Sequence, residues 1–235
     1  MPQQNHLVLQ VEQLSVRLGT SEVLHDLTFT VQRGEVLAII GPNGAGKTVL
    51  LRTLVGSLAY TGMIRWAQDA VLGYVPQKLD LLRDFPVSGQ DFLRAKAALS
   101  QAPTSQLISV LQSAGLDEAV LARPIGAFSG GQFQRLLIAF ALLGTPNVLL
   151  LDEPAAGMDQ PGQVQLEETL HRLQQAQGMT LLLVSHELNL IYRYADQVLC
   201  LGRDHSCIGP PRTVLTPEAL ADIYGEPLRF HVHGT

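Results

Sequence analysis

Gly41, Pro42, Asn43, Gly44, Ala45, Gly46, Lys47 and Thr48 spell a complete G-x-x-x-x-G-K-[ST] phosphate loop, and the apolar run Val36 to Ile40 leads straight into it. A strand, a glycine-rich turn and a helix must therefore follow one another here, which commits the chain to an α/β fold and its ligand to a nucleoside triphosphate with magnesium. Glycines at 41, 44 and 46 let the backbone turn tightly and aim several amide N–H groups at one centre, where the next helix adds its positive end. Lys47 reaches the β/γ-phosphates as a point charge, and the Thr48 hydroxyl takes a place on Mg²⁺.

The rest of the chain is consistent with one α/β domain carrying a smaller helical part. At 235 residues it is long enough for a core domain with a subdomain. Leu7 to Leu18 and Val23 to Val31 alternate as two strands around the turn Gly19, Thr20, Ser21, and Val49 to Leu58 reads as the helix after the loop. Pro76 ends a short apolar stretch just before Gln77. Ser88 and Asp91 suggest a capping box opening a helix through Leu99, and a second helical pattern covers Ser105 to Ala114. Beyond Ser129, helices at Gly131 to Leu143 and Gly162 to Gln177 alternate with apolar strands at Val148 to Leu151 and Thr180 to Val184. This pattern implies a parallel sheet buried on both faces. The expected architecture is a phosphate-loop core spanning 1–235, with an antiparallel β layer at its N-terminus and a helical subdomain inserted over 78–125.

Three further patterns carry chemistry. Asp152 and Glu153 end a buried strand, where ligands of open α/β sheets collect. Position gives them different tasks: Asp152 orients Mg²⁺, and Glu153 reaches a water in line with the γ-phosphate as general base. His186 ends the next apolar strand, where a neutral imidazole can hydrogen-bond the γ-phosphate. Phe128, Ser129, Gly130, Gly131 and Gln132 form the third. Ser129 and Gln132 are spaced as a capping box, and two glycines leave backbone amides uncovered. That pattern is either an ordinary cap or a second anion site, and one chain cannot easily bring both helix-end sites to one triphosphate.

Together these motifs resemble the ATP-binding subunits of ABC transporters over essentially the whole chain. By that resemblance, Gly41 to Thr48 is the Walker A motif, Gln77 the Q-loop glutamine, Phe128 to Gln132 the signature motif, and Leu149 to Glu153 Walker B. Gly157, Met158 and Asp159 are the D-loop, and His186 is the switch histidine. The resemblance implies that Gln77 joins Glu153 and His186 in catalysis and joins Thr48 and Asp152 around Mg²⁺. It also implies a head-to-tail homodimer with two ATP molecules, each held between Walker A of one copy and the signature of the other. Stretches 73–79, 183–190 and 195–201 are most similar to the ATPases of bacterial zinc and manganese importers. Such a subunit binds a polytopic membrane permease, fed by an extracytoplasmic metal-binding protein, from the cytoplasmic side of the inner membrane. The apolar stretch Leu79 to Val87 is expected to receive a permease helix.

Departures from the family pattern are few. Leu18 stands where many relatives stack an aromatic ring on adenine, a contact worth about 1–3 kcal/mol. Val49 replaces a common threonine, losing a hydroxyl but keeping its amide, while Phe128 replaces leucine and Ala155 replaces threonine or serine. Net charge is −5 with no long basic run, which speaks against nucleic acid as partner. The N-terminus, Met1 to His6, lacks the basic region of a secretory signal, and Cys200 and Cys207 fit a reducing compartment. With His205 between them, the cysteines are read as incidental rather than as metal ligands. His231 and His233 near the C-terminus are read as solvated. Soluble ATPases of cofactor assembly or ribosome function, importer ATPases for non-metal cargo and nucleotide-gated scaffolds use similar motifs. Two cassettes would mark many of the soluble ATPases, and only one is visible.

Overall fold

In the computed structural model, which describes residues 6–77, 86–202 and 206–224, two β-sheets share one apolar layer. The first is antiparallel, in the order β2–β1–β4, from β1 (Leu7–Leu18), β2 (Ser21–Gln32) and β4 (Thr61–Trp66). The second has six strands in the order β5–β6–β7–β3–β8–β9. It is built from β3 (Val36–Ile40), β5 (Leu72–Val75), β6 (Val148–Asp152), β7 (Thr180–Val184), β8 (Gln197–Leu201) and β9 (Ser206–Gly209). All its pairings are parallel except β8 with β9.

The central strands β3, β6 and β7 are buried along their whole length, as their uninterrupted apolar runs require of a sheet covered on both faces. Their side chains divide by parity. Leu37, Ile39, Leu150 and Leu182 pack toward the antiparallel sheet and α1 (Lys47–Leu54). Ala38, Ile40, Leu149, Leu151 and Leu183 pack toward the helices on the other face. Those helices are α2 (Gly89–Leu99), α3 (Thr104–Ala114), α4 (Gly130–Leu142), α5 (Gln160–Gln177) and α6 (Leu188–Tyr194), with α7 (Pro211–Val214) and α8 (Pro217–Tyr224) near the C-terminus. Phe92 of α2 stacks on Phe140 of α4 with ring centroids 4.5 Å apart, which ties α2 to α4.

Helix ends follow their caps more closely than their apolar periodicity. The helix expected to run to Leu58 stops at Leu54, because Gly56 takes a left-handed φ of 77°. Ser88 caps α2 by accepting the Asp91 N–H, as expected. Asp159 caps α5 from two residues earlier than the periodicity suggests, accepting the Gly162 N–H at 3.2 Å.

The cysteines correct the sequence reading. Cys200 and Cys207 are direct cross-strand neighbours on the β8–β9 hairpin, with Cα atoms 4.9 Å apart, and are joined as a disulfide rather than standing as two thiols. His205, most of the stretch expected to receive a permease helix (residues 79–85 of 79–87), and the histidines at 231 and 233 lie outside the described residues. Among the described residues, no helix is long and apolar enough to cross a membrane.

Candidate nucleotide site

The parallel sheet brings four segments to one edge because their strands are adjacent and in register. Val75 pairs with Leu151, Asp152 with Val184, and Ile39 with Val184, so Gln77, Glu153, His186 and Gly41 all emerge at the same level. Residues up to 145 positions apart in sequence become neighbours by strand register alone.

The loop from Gly41 to Gly46 wraps the N-terminus of α1. Gly44 and Gly46 have φ of 84° and 93°, and a Cβ on Gly46 would lie 2.6 Å from Leu24 of β2, so the loop presses against the antiparallel sheet. Lys47 is 6 % exposed, and its ammonium donates to the carbonyls of Gly41 at 2.8 Å and Pro42 at 3.1 Å. Burial lowers its pKa, opposed by the Glu153 and Asp152 charges. The cation is folded into the loop and held where anionic oxygens would gather.

Asp152 is 1 % exposed, and neither of its carboxylate oxygens has a hydrogen-bond partner of good geometry among the described residues. Burial pushes its carboxyl up, with the Thr48 hydroxyl and the Lys47 charge acting the other way. A buried carboxylate left without partners costs free energy, and a divalent cation beside Thr48 satisfies it. The donor set therefore suits Mg²⁺. Tyr74 on β5 lies within reach of this carboxylate's charge. Burial, reinforced by Asp152, pushes the phenol up to about 12, so it stays neutral.

Glu153 stands differently. Its backbone is left-handed, with φ of 48°, a conformation costing a non-glycine residue about 1–3 kcal/mol. Its N–H donates to Val184 on the next strand at 3.1 Å. The bend aims the carboxylate across the sheet edge, where one oxygen accepts from the Gln77 amide at 2.5 Å and the other meets His186 Nε2 at 2.9 Å. Ser185, buried beneath, accepts the Glu187 N–H at 3.0 Å and shapes the turn that presents His186. Behind Glu153 and His186 a cavity of 310 Å³ opens between the Gly157 loop and α6, floored by Leu166, Leu170 and Leu190.

Ser129, Gly130, Gly131 and Gln132 are not part of this row. Ser129 and Gln132 form the full reciprocal capping box of α4 at 3.2 and 3.1 Å. Neighbouring atoms to Gly130 and Gly131 come from Gly157 and Met158, the loop that caps α5. Ser129 and Gly130 are exposed. Leu18, at the end of β1, is also exposed. The sequence reading missed Tyr74 and Ser185. Ser185 was discoverable from its position between an apolar strand and a histidine, whereas nothing in one sequence marks Tyr74 as a neighbour of Asp152.

A phosphate loop, a strand-end carboxylate pair and a register-aligned row of polar side chains on one parallel sheet define a phosphate-loop nucleoside triphosphatase. Residues 24–156 match the ABC transporter family model. The zinc import ATP-binding protein ZnuC of Chromohalobacter salexigens is 36 % identical over 219 residues, covering 93 % of this chain and 90 % of that protein. A probable metal transport system ATP-binding protein of Thermotoga maritima is 37 % identical over 223 residues, covering 92 % and 90 %. Among solved structures, a putative metal-chelate type ABC transporter in an inward-facing conformation superposes with a TM-score of 0.84 at 28 % identity, covering 94 % of this chain and 90 % of that one. The chain belongs to the ABC transporter family as an ATP-binding protein.

Proposed function

We propose that this chain is the ATP-hydrolysing subunit of an importer that takes up a divalent metal ion, with zinc as cargo. On this reading it works as a homodimer at the cytoplasmic face of the inner membrane, beneath a polytopic permease loaded by an extracytoplasmic metal-binding protein. Residues 78–125 form the helical subdomain that meets the permease. The observation that carries the catalytic part is the bracketing of Glu153 by Gln77 and His186 beside the phosphate loop. The cargo assignment draws on likeness to a zinc import protein and a metal transport protein over nine-tenths of the chain.

The chain's residues divide the reaction as follows. Amides of Gly44, Ala45, Gly46, Lys47, Thr48 and Val49 cradle the phosphates at the start of α1, with Pro42 and Asn43 completing the loop. Lys47 exchanges its two carbonyl partners for the β/γ-phosphates. Thr48, Asp152 and Gln77 would hold Mg²⁺. When bound, that ion neutralises charge developing on the β- and γ-phosphate oxygens. Glu153 takes the proton of the attacking water, and His186 and Gln77 fix the direction of its carboxylate. Ser129 and the amides of Gly130, Gly131 and Gln132 close on the γ-phosphate held by a second copy.

The test pairs turnover with physiology. Purified chain should release phosphate from ATP, and a strain lacking it should fail to grow under zinc limitation until the parental sequence, but not Glu153→Gln, is restored. Normal growth of the deletion strain under zinc limitation, with failure under manganese or iron limitation, would reassign the cargo while leaving the ATPase intact.

A further inference from the structure

Phe128 immediately precedes Ser129, the residue that caps α4. Its ring is 4 % exposed and its N–H donates to the Ile125 carbonyl at 3.1 Å. A Cβ placed on Gly89, the first residue of α2, would lie 2.8 Å from the ring's Cζ, 3.4 Å from Cε2 and 3.2 Å from Leu121. Gly89 does not have a positive φ, so its backbone would accept alanine, the better helix former. The ring is the physical reason for glycine here.

The backbone around Gly89 cannot retreat. Val87 accepts the Ile125 N–H at 2.9 Å, Gly89 donates to Arg123 at 3.2 Å, and Gln90 donates to Leu121 at 3.0 Å. Ser88 and Pro124 form an antiparallel bridge between these contacts. Residues 87–90 and 121–125 are thus laced together, with the Phe128 ring wedged against the lacing. Any movement of the chain entering α2 is passed by hard contact to the residue beside Ser129.

We propose that Gly89 and Phe128 form a steric key. In this role Phe128 is a positioning residue that sets where Ser129 and Gly130 stand, and Gly89 is the slot that admits its ring. The key rests on the proposed role of Ser129 toward nucleotide held by a second copy. It gives the segment entering α2, which follows Gln77 by about a dozen residues, a direct mechanical route to that contact.

The experiment compares the parent, Gly89→Ala, Phe128→Leu and the double variant as full chains. Steady-state ATP turnover is measured, together with binding of a fluorescent ADP analogue, which reads the phosphate loop of a single copy. Gly89→Ala is expected to lower kcat at least about tenfold, as misplacement of a positioning contact does, with ADP-analogue affinity unchanged. Phe128→Leu should cost less, and the double variant should recover to within about threefold of Phe128→Leu, because the two changes relieve each other. A general folding defect would lower analogue binding as well. Turnover of Gly89→Ala at the parental rate, or a double variant as slow as Gly89→Ala, would overturn the key. Should Gly89→Ala fail to fold, the double variant must fold and turn over, and its failure would also overturn the proposal. A parent that folds but turns over no ATP would instead sink the functional reading on which the key rests.

Discussion

The strand-end row and the N-terminus of α4 are built on opposite plans. In the row, side chains from four segments complete one another: Gln77 and His186 hold Glu153, and the loop carbonyls hold Lys47. At α4, the side chains of Ser129 and Gln132 bond each other's backbone in the capping box, and Ser129 and Gly130 are left exposed. One region is finished by its own fold, while the other, on the function proposed above, is finished by a second copy. The difference teaches where to strike. Changes in the row should remove chemistry from a single copy, whereas changes at α4 should spare the single copy and harm its assembly.

The largest effect expected is from Glu153→Gln. The amide keeps the size of the carboxylate but cannot accept a proton, so turnover should fall by a factor of about 10²–10⁴ with ATP binding retained. ATP should then accumulate a dimer detectable by size-exclusion chromatography. Turnover near the parental rate would remove Glu153 from the chemistry, and loss of binding would mean that its role is to hold the site together.

Asp152→Asn sharpens the same side of the comparison by separating stability from activity. Among the described residues no hydrogen bond of good geometry reaches the buried carboxylate, and burial raises its pKa despite the Thr48 hydroxyl and the Lys47 charge, so its charged form opposes folding at neutral pH. Without nucleotide or Mg²⁺, the variant should melt higher by roughly 2–4 °C, corresponding to about 1 kcal/mol. Protonation stabilises the parent's folded state, so the gap should be widest at neutral pH and narrow as pH falls through the raised pKa. Turnover and Mg²⁺-dependent nucleotide binding should both be lost. A variant that melts lower at neutral pH would show that Asp152 is structurally satisfied.

On the other side of the comparison, substitutions can divide the capping role of Ser129 from its proposed role toward phosphate held by a second copy. Ser129→Ala removes the cap at a cost of about 1 kcal/mol, whereas Ser129→Asp keeps a capping oxygen but adds negative charge where phosphate is expected. In a Glu153→Gln background, Ser129→Asp should fold like its parent and bind the ADP analogue normally, yet form at least about tenfold less dimer with ATP. Equal dimer formation would make the capping box an ordinary helix start.

How much of this was visible in the sequence depended on the kind of constraint involved. The phosphate loop, the acidic pair and the strand-to-histidine ending were legible because each is local, with spacing and chemistry inside one short window. The parallel sheet was legible from apolar runs alternating with helices, and β1 and β2 matched their alternation closely. The Glu153 bracket was not legible from chemistry alone, because Gln77, Glu153 and His186 meet only through the registers of β5, β6 and β7. Cys200 and Cys207 looked incidental because their distance depends on the β8–β9 register, which residue spacing does not reveal. Phe128 stood out as a departure from pattern, but its explanation sits 39 positions away at Gly89. In each of these cases the missing information was a pairing across the fold.

The smallest expected effect tests whether α4 is only a platform for its exposed end or is also braced from behind. Arg135, one turn into α4, donates at 2.9 Å to the carbonyl of Gly115, which ends α3, and through its other terminal nitrogen to Gln165 of α5. A charged group that joins three helices is worth about 1–2 kcal/mol, because truncation leaves the Gly115 carbonyl without this donor. Arg135→Ala should therefore melt lower by a few degrees and loosen amide protection around 104–115, with the Glu153 bracket unaffected. Arg135→Lys should recover only part of the loss, since a single ammonium cannot replace a planar fork that serves two acceptors. If amide exchange in Arg135→Ala rises instead around Gln77 and His186, the two regions are mechanically one, and the division between a self-completed row and an outward-facing helix end fails.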